Sequence, residues 1–232
     1  MGLNYWDARY RNGGRSSDRD ITASRAWKQR VITEYAGPPD AVVDVGCGDL
    51  TFWAAGVQPA TYTGIDISPT ILEANRKAHP GWTFHCSPAE VRVPGVSGRV
   101  VICQDMLFHI MDDTAYRQIL QNLTRYAEEW LFIFTWHTNP FGWFPYSATL
   151  AGMLLKQGRV RDAVTAFCMS DPPVTDGKYQ RFRRLEDDRD LFTAAGFDLM
   201  AARPANEIGA MYVFRRRQTG AAGSPAPLEA TL

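Results

Sequence analysis

No net charge distinguishes this 232-residue chain: 25 Lys and Arg balance 25 Asp and Glu. The balance hides no strong asymmetry, since residues 1–36 sum to +3, residues 37–158 to −4 and residues 159–217 to +2, with Glu229 the one charge beyond them. A duplex-binding protein carries a basic face or stripe, and none is present, so nucleic acid is disfavoured as a partner. Short clusters such as Arg181/Arg183/Arg184 and Arg215/Arg216/Arg217 read as solvated strand ends. Cysteine is scarce, with four at positions 47, 86, 103 and 168 and no CxxC or zinc-ligand spacing. That excludes a disulfide framework and a metal centre and leaves buried, reduced thiols. No apolar run approaches the ~20 residues a membrane span needs, and a basic-plus-apolar leader is missing. The expectation is a cytoplasmic chain with no membrane partner. Internal repeats are absent, and nothing specifies an oligomeric state.

What the chain does contain is an alternation of short apolar runs with helical patterns. Such alternation points to a mostly parallel sheet covered by helices. Residues 1–20 are polar and rich in Arg, Gly and Ser, with Tyr5, Trp6 and Tyr10 embedded. Asp20 to Tyr35 reads as a helix, with Ile21, Trp27, Val31 and Ile32 at roughly helical spacing and Gly37-Pro38-Pro39 to stop it. Strands are expected at 41–45, 62–66, 82–86, 100–103 and 130–135, followed by 197–202 and 210–216. A helix is expected to begin near Asp49 and carry Phe52 and Trp53. Ser68 and Pro69 suit the N-cap and first position of another, 113–126 is a third, and 185–195 ends at Gly196. The tail 218–232 is rich in Gly, Ala, Pro and Ser and reads as disordered. The domain reading is a cap segment and helix over 1–36, a single domain over 37–217, and a helical insertion over 141–180.

The first strand-to-helix turn carries the chemistry. A strand followed by Gly46-Cys47-Gly48 lets backbone approach a ligand closely. Asp44 stands inside the strand, where a charge is costly unless paired or bound. The ligand or the amides of the loop are its expected partners. Asp66 closes the second strand, 22 residues after Asp44, where an acid can accept hydrogen bonds from both hydroxyls of a ribose. That spacing alone fits a nicotinamide dinucleotide and S-adenosylmethionine (SAM) equally.

The detailed string separates them. Val42-Val43-Asp44-Val45-Gly46-Cys47-Gly48-Asp49-Leu50 resembles the glycine motif of the class I SAM-dependent methyltransferases, whereas a dinucleotide fingerprint would place glycine at position 51, which is Thr. Leu50 departs from the family pattern, which has a third glycine there. Tyr62–Pro69 is similar to the family's second motif, Val101–Ile110 to its fourth, and 130–135 to its fifth strand. The resemblance implies a Rossmann-like α/β fold: a mostly parallel seven-stranded sheet with an antiparallel last strand and helices on both faces. It implies SAM as cofactor, with Asp44, Gly46, Cys47 and Gly48 at its methionine part, Asp66 on the ribose and Ile67 beside the adenine. Pro88 stands where the family often has an acid, leaving Ala89 and Glu90 as substitutes near the adenine. Gln104 falls beside the methyl-transfer site. The segment containing Tyr10 and Arg11 is similar to segments that fold over SAM, with Tyr10 near the sulfonium and Arg11 on the methionine carboxylate.

Methyl transfer needs nucleophile, methyl and sulfur in line, so positioning and desolvation carry much of the catalysis. A base is required only for an acceptor that is protonated at rest. Asp105, His109 and His137 fall near the carboxyl ends of the fourth and fifth strands, where open α/β sheets place ligands, and are the candidate catalytic residues. Packing or helix-capping roles compete for each. Phe141-Gly142-Trp143-Phe144-Pro145-Tyr146 offers a wall for an apolar or planar acceptor. The function these readings favour is methylation of an O or N atom of a small molecule. Modification of protein or RNA, a dinucleotide-dependent oxidoreductase and a non-catalytic scaffold are the alternatives.

Overall fold

The computed structural model describes residues 3–16, 22–54, 56–140 and 180–218, with single positions between 155 and 164. The nearly apolar run Ala41–Val45 forms β1 and pairs in parallel with β2 (Thr61–Asp66) on one side and β4 (Gly98–Gln104) on the other. β3 (Thr83–Cys86) extends the sheet beyond β2, and β5 (Ala127–Trp136) beyond β4. β7 (Gly209–Arg216) then inserts antiparallel between β5 and β6 (Phe197–Pro204). The order is β3-β2-β1-β4-β5-β7-β6. Strand order reverses at β1, so the carboxyl ends of β1 and β4 flank the crevice where such sheets take ligands.

Both faces of the sheet are buried, as expected of strands without alternating polarity. Val43, Val101, Leu131 and Tyr212 pack on one side against α4 (Asp113–Tyr126) and α5 (Arg189–Ala194). Val42, Ile102, Phe132 and Val213 pack on the other against α2 (Thr22–Ala36) and α3 (Pro69–Ala78). The expected cap is present: Ser68 accepts from the Ile71 amide with Pro69 at the first position of α3; the structure adds a second, Asp112, which accepts from the Ala115 amide at the start of α4. The closing helix is a 3-10 turn over Leu185–Asp188 followed by α5, and the chain leaves it through Gly196 at φ +84°.

Four expectations need correction. The polar leader contains a helix, α1 (Leu3–Arg11). No helix begins at Asp49: residues 49–54 run as turns, because Leu50 adopts φ +55°, which no right-handed helix contains. Cys86 is exposed, whereas Cys47 and Cys103 are buried. The arginine clusters are not simply solvated. Arg183, with its side chain 12% exposed, donates to the carbonyls of Ile110 and Met111, and Arg216 donates to those of Thr124 and Ala127. The carbonyls of Ile110 and Met111 lie in irregular backbone that has no ladder to satisfy it, and those of Thr124 and Ala127 lie where the last turn of α4 gives way to β5. The expectations for residues 20–21, for the aromatic run 141–146 with most of the insertion, for Cys168 and for the tail beyond 218 lie outside the described residues.

Leu50 holds a left-handed backbone that costs a non-glycine residue about 1–2 kcal/mol, yet its side chain is 5% exposed in the core beside Trp53. Removing a buried leucine side chain costs about 2–5 kcal/mol, so burial outweighs strain. Leu50→Gly is therefore expected to destabilise the fold by about 1–3 kcal/mol, despite relieving the backbone, as measured by urea unfolding.

Candidate functional site

The turn after β1 is fastened to the corner between β2 and α3. The amides of Gly46 and Cys47 both donate to the Ile65 carbonyl. The Gly48 amide donates to Asp66 Oδ2 at 3.0 Å and the Ser68 amide to Oδ1 at 2.9 Å. Asn75 of α3, 4% exposed, donates to the Gly48 carbonyl at 2.8 Å. Burial pushes the Asp66 carboxyl up, opposed by the Ser68 and Gly48 amides. Each Asp66 oxygen keeps a second lone pair, so the group can still accept from a vicinal diol. Ile67 follows at the partly exposed edge.

Asp44 finds its partners elsewhere than expected. It is 3% exposed, and its Oδ2 accepts from Trp53 Nε1 at 3.1 Å and from the Tyr62 hydroxyl at 2.9 Å. Side chains behind the glycine turn, not its amides, answer this charge. Burial lifts the Asp44 carboxyl to about 6, the two hydrogen bonds opposing and Asp66 adding to the effect.

The N-terminal segment lies against this turn. Asp7, 7% exposed, accepts from the Ser68 hydroxyl and the Thr70 amide at the start of α3, and pairs with Arg11. The Thr70 bond, aided by those from Ser68 and Arg11, holds the Asp7 carboxyl well below the usual range against the opposing effect of burial. Arg11 is thus turned onto Asp7. The Tyr10 hydroxyl lies 2.9 Å from Ser16 Oγ, and Ser16 exchanges hydrogen bonds with Asp49. A Cβ on Gly48 would lie 2.4 Å from Ser16 Oγ and 3.0 Å from the Tyr10 hydroxyl, and its φ is +54°. Only glycine allows this approach.

At the carboxyl end of β4 stand Gln104 and Asp105. Gln104 Oε1 is buried with no hydrogen-bond partner, while its amide nitrogen faces Met211 Sδ at 3.8 Å. Asp105 has φ +55°, its amide donates to the Phe134 carbonyl, and its carboxylate pairs with Lys28 of α2. Nothing in the local pattern of residues singles out Lys28. Its side chain is 2% exposed, with Nζ 3.6 Å from the centre of the Phe134 ring. Burial holds this ammonium below the usual lysine range, against the pull of Asp105.

His109 closes a 3-10 turn (Leu107–His109), and its ring meets Trp6 of α1 edge-on at 5.2 Å. Phe108 stacks on Trp136 at the end of β5, with centroids 4.3 Å apart. His137 points instead to the β6–β7 turn, with Nε2 3.1 Å from the Asn206 carbonyl. Ala89 and Glu90 lie in the loop after β3, and their carbonyls accept from Asn122 of α4. The structure therefore gathers Tyr10, Gly48 and Asp66 around one turn and joins α1 to His109, while His137 is engaged elsewhere.

Sheet order, the glycine turn and the acid closing β2 define a fold class, the Rossmann-like α/β sheet with an antiparallel final strand. Residues 42–129 match the family model described as methyltransferase domain. No curated protein matches it by sequence. Among solved structures it is similar to magnesium protoporphyrin IX methyltransferase from Synechocystis PCC 6803 with bound SAH. That pair is 18% identical over 93% of this chain and 97% of that one, at a TM-score of 0.59. The DhpI complex with SAM and HEP is 15% identical over 94% and 99%, at 0.61. The N-methyltransferase NodS from Bradyrhizobium japonicum WM9 with SAH is 10% identical over 87% and 90%, at 0.54. Among the described residues no helix is long and apolar enough to cross a membrane.

The raised Asp44 carboxyl makes stability depend on pH. The folded chain keeps this proton up to about pH 6, whereas the unfolded chain loses it near pH ~4. The stability this confers is complete below about pH 4 and is lost as pH rises through about 6. Urea unfolding between pH 4 and 7 is expected to show Asp44→Asn gaining on the wild type by up to about 3 kcal/mol across that window. A constant difference between the two proteins would assign the buried charge to another group.

Proposed function

We propose that this chain transfers the methyl group of SAM to an oxygen or nitrogen atom of a small-molecule acceptor. One observation carries the reading: the Asp66 carboxylate, partly buried and held by the amides of Gly48 and Ser68, lies beside a turn whose close approach at Gly48 only glycine allows. In this reading Asp66 takes the ribose hydroxyls and Ile67, Ala89 and Glu90 border the adenine. Gly46, Cys47, Gly48 and Gln104 surround the methionine part, with the unpaired Gln104 oxygen able to accept from an ammonium. Asp44 supports the turn from behind through Trp53 and Tyr62. Tyr10 covers Gly48, and burial keeps its phenol neutral, which suits a group beside a cation. Arg11 acts through Asp7, which ties the 1–36 cap to the 37–217 domain.

Bound SAM supplies a methyl group on a sulfonium, an electrophile needing no further activation. The chain's task is then to exclude water and orient the acceptor. Asp105 and His109 are the groups placed for that, and His109 can also take a proton from an acceptor that starts protonated. His137, engaged by Asn206, supports the β6–β7 turn beside them. Small-molecule acceptors suit the absence of any basic stripe. The methyltransferases similar in structure include one named for a porphyrin.

Titration calorimetry with S-adenosylhomocysteine (SAH), SAM and NAD tests this. Micromolar binding of the first two is expected, with no heat from NAD. Asp66→Ala should weaken SAH at least about a hundredfold, the loss of two charge-assisted hydrogen bonds. NAD binding in place of SAH would overturn the reading. Asp7→Ala should release the cap and weaken SAH about tenfold, and should lower the unfolding midpoint through the lost bonds to Ser68, Thr70 and Arg11. Unaltered SAH affinity in that variant would place the cap outside the cofactor site.

A further inference from the structure

Among the described residues Lys28 is the one cation that is fully buried. Taking an ammonium out of water costs several kcal/mol, and an apolar residue of similar size often serves stability better than a buried pair. A pair made only for stability would bury both partners. Here the lysine side chain is 2% exposed and the Asp105 side chain 43%. The cation lies behind, and the carboxylate stands at the surface of the crevice end of β4.

Two further costs converge on the same carboxylate. Asp105 holds a left-handed backbone at φ +55°, fixed by its amide on the Phe134 carbonyl. Phe134 in turn seats the ammonium, and its ring occupies space that opens only because residue 209 is glycine: a Cβ there would lie 2.7 Å from Phe134 Cζ. A lysine, a ring and a glycine from three separate elements fix the orientation of one acid. Immediately before it, Gln104 Oε1 is buried and unpartnered. The open valences at this point are those of hydrogen-bond acceptors.

We infer that Lys28 is a positioning residue that holds Asp105 so that its outer face takes a hydrogen-bond-donating group of the acceptor, a hydroxyl or an amine and not a carboxylate. This rests on the methyl-transfer reading and narrows its acceptor class. The pair is neutral overall but presents its negative end outward. It therefore favours an ammonium or hydroxyl through a charge-assisted hydrogen bond and repels an anion.

The chain has four lysines, at 28, 77, 156 and 178, so nitrogen-15 lysine labelling gives a spectrum simple enough to assign. A buried, ion-paired ammonium exchanges its protons slowly and shows an Nζ correlation that solvated lysines lose. Ethanolamine and acetate serve as probes, each titrated with and without SAH. The expected result is a protected Lys28 signal that shifts saturably with ethanolamine and stays still with acetate. Asp105→Asn should abolish the shift, and Gly209→Ala, which crowds the ring, should displace the signal before any probe is added. Absence of a protected signal, a response to acetate instead, no response to either probe, or a response surviving in Asp105→Asn would each overturn the proposal. Calorimetry with SAH on the same sample separates the two readings. An ethanolamine response without SAH binding would sink the methyl-transfer reading and leave the anchor standing, whereas SAH binding without that response would do the reverse.

Discussion

Two carboxylates, the buried Asp44 and the partly buried Asp66, stand on neighbouring strands, and neither is tolerable there without donors. How each is answered shapes everything around it. Asp66 is answered by backbone: the amides of Gly48 and Ser68 come to it from opposite sides, so the turn after β1 and the start of α3 must lie where those bonds form. Asp44 is answered by side chains, and Trp53 must fold back from the following turn to reach it. That return is incompatible with a helix starting at Asp49. The left-handed Leu50 is the backbone consequence, stabilised because its side chain reaches the same core as Trp53.

The same corner then organises the N-terminus. Asp7 reaches the Ser68 hydroxyl and the Thr70 amide, so the start of α3 is capped from α1 as well as from its own Ser68. Its charge also sits at the positive end of α3, where a carboxylate is favoured. α1 carries Trp6 against His109, and Phe108 of that turn stacks on Trp136. Arg181 and Arg183 hold the carbonyls of Phe108, Ile110 and Met111. Cap, 3-10 turn and the end of β5 are thereby linked through ring contacts whose geometry is directional, so displacement of α1 reaches the histidine without an intervening lever.

Strands and caps were legible in the chain because each depends on neighbours in sequence. β1 follows from an apolar run closed by glycine, and α3 from Ser68-Pro69. The acid of Asp66 was legible because it ends a strand at a fixed distance from the turn. Lys28 was not: on a helix it reads as one more polar position, and its partner lies 77 residues away. Asn75 and Asn122 escaped for the same reason, since each matters through a carbonyl that only the fold brings near. α1 was hidden because residues 1–20 are rich in Arg, Gly and Ser, and its partners at Ser68 and Thr70 are remote. The helix expected at Asp49 failed where local spacing of Phe52 and Trp53 lost to a tertiary demand, the need of Asp44 for a donor.

The choice of cation at each buried position follows from what surrounds it. Arg183 and Arg216 lie where several carbonyls converge, and a planar fork with five donors satisfies them together. The space between α2 and the sheet offers one carboxylate and one ring face. A guanidinium there would leave donors unmatched in a dry environment, at a cost of about 1–3 kcal/mol for each, whereas an ammonium is a point charge that one carboxylate and a π-face can largely satisfy. Lysine also spends its charge on a single partner. That concentrates the constraint on Asp105, leaving its outer oxygen as the polar atom that the crevice presents to whatever lies beyond β4.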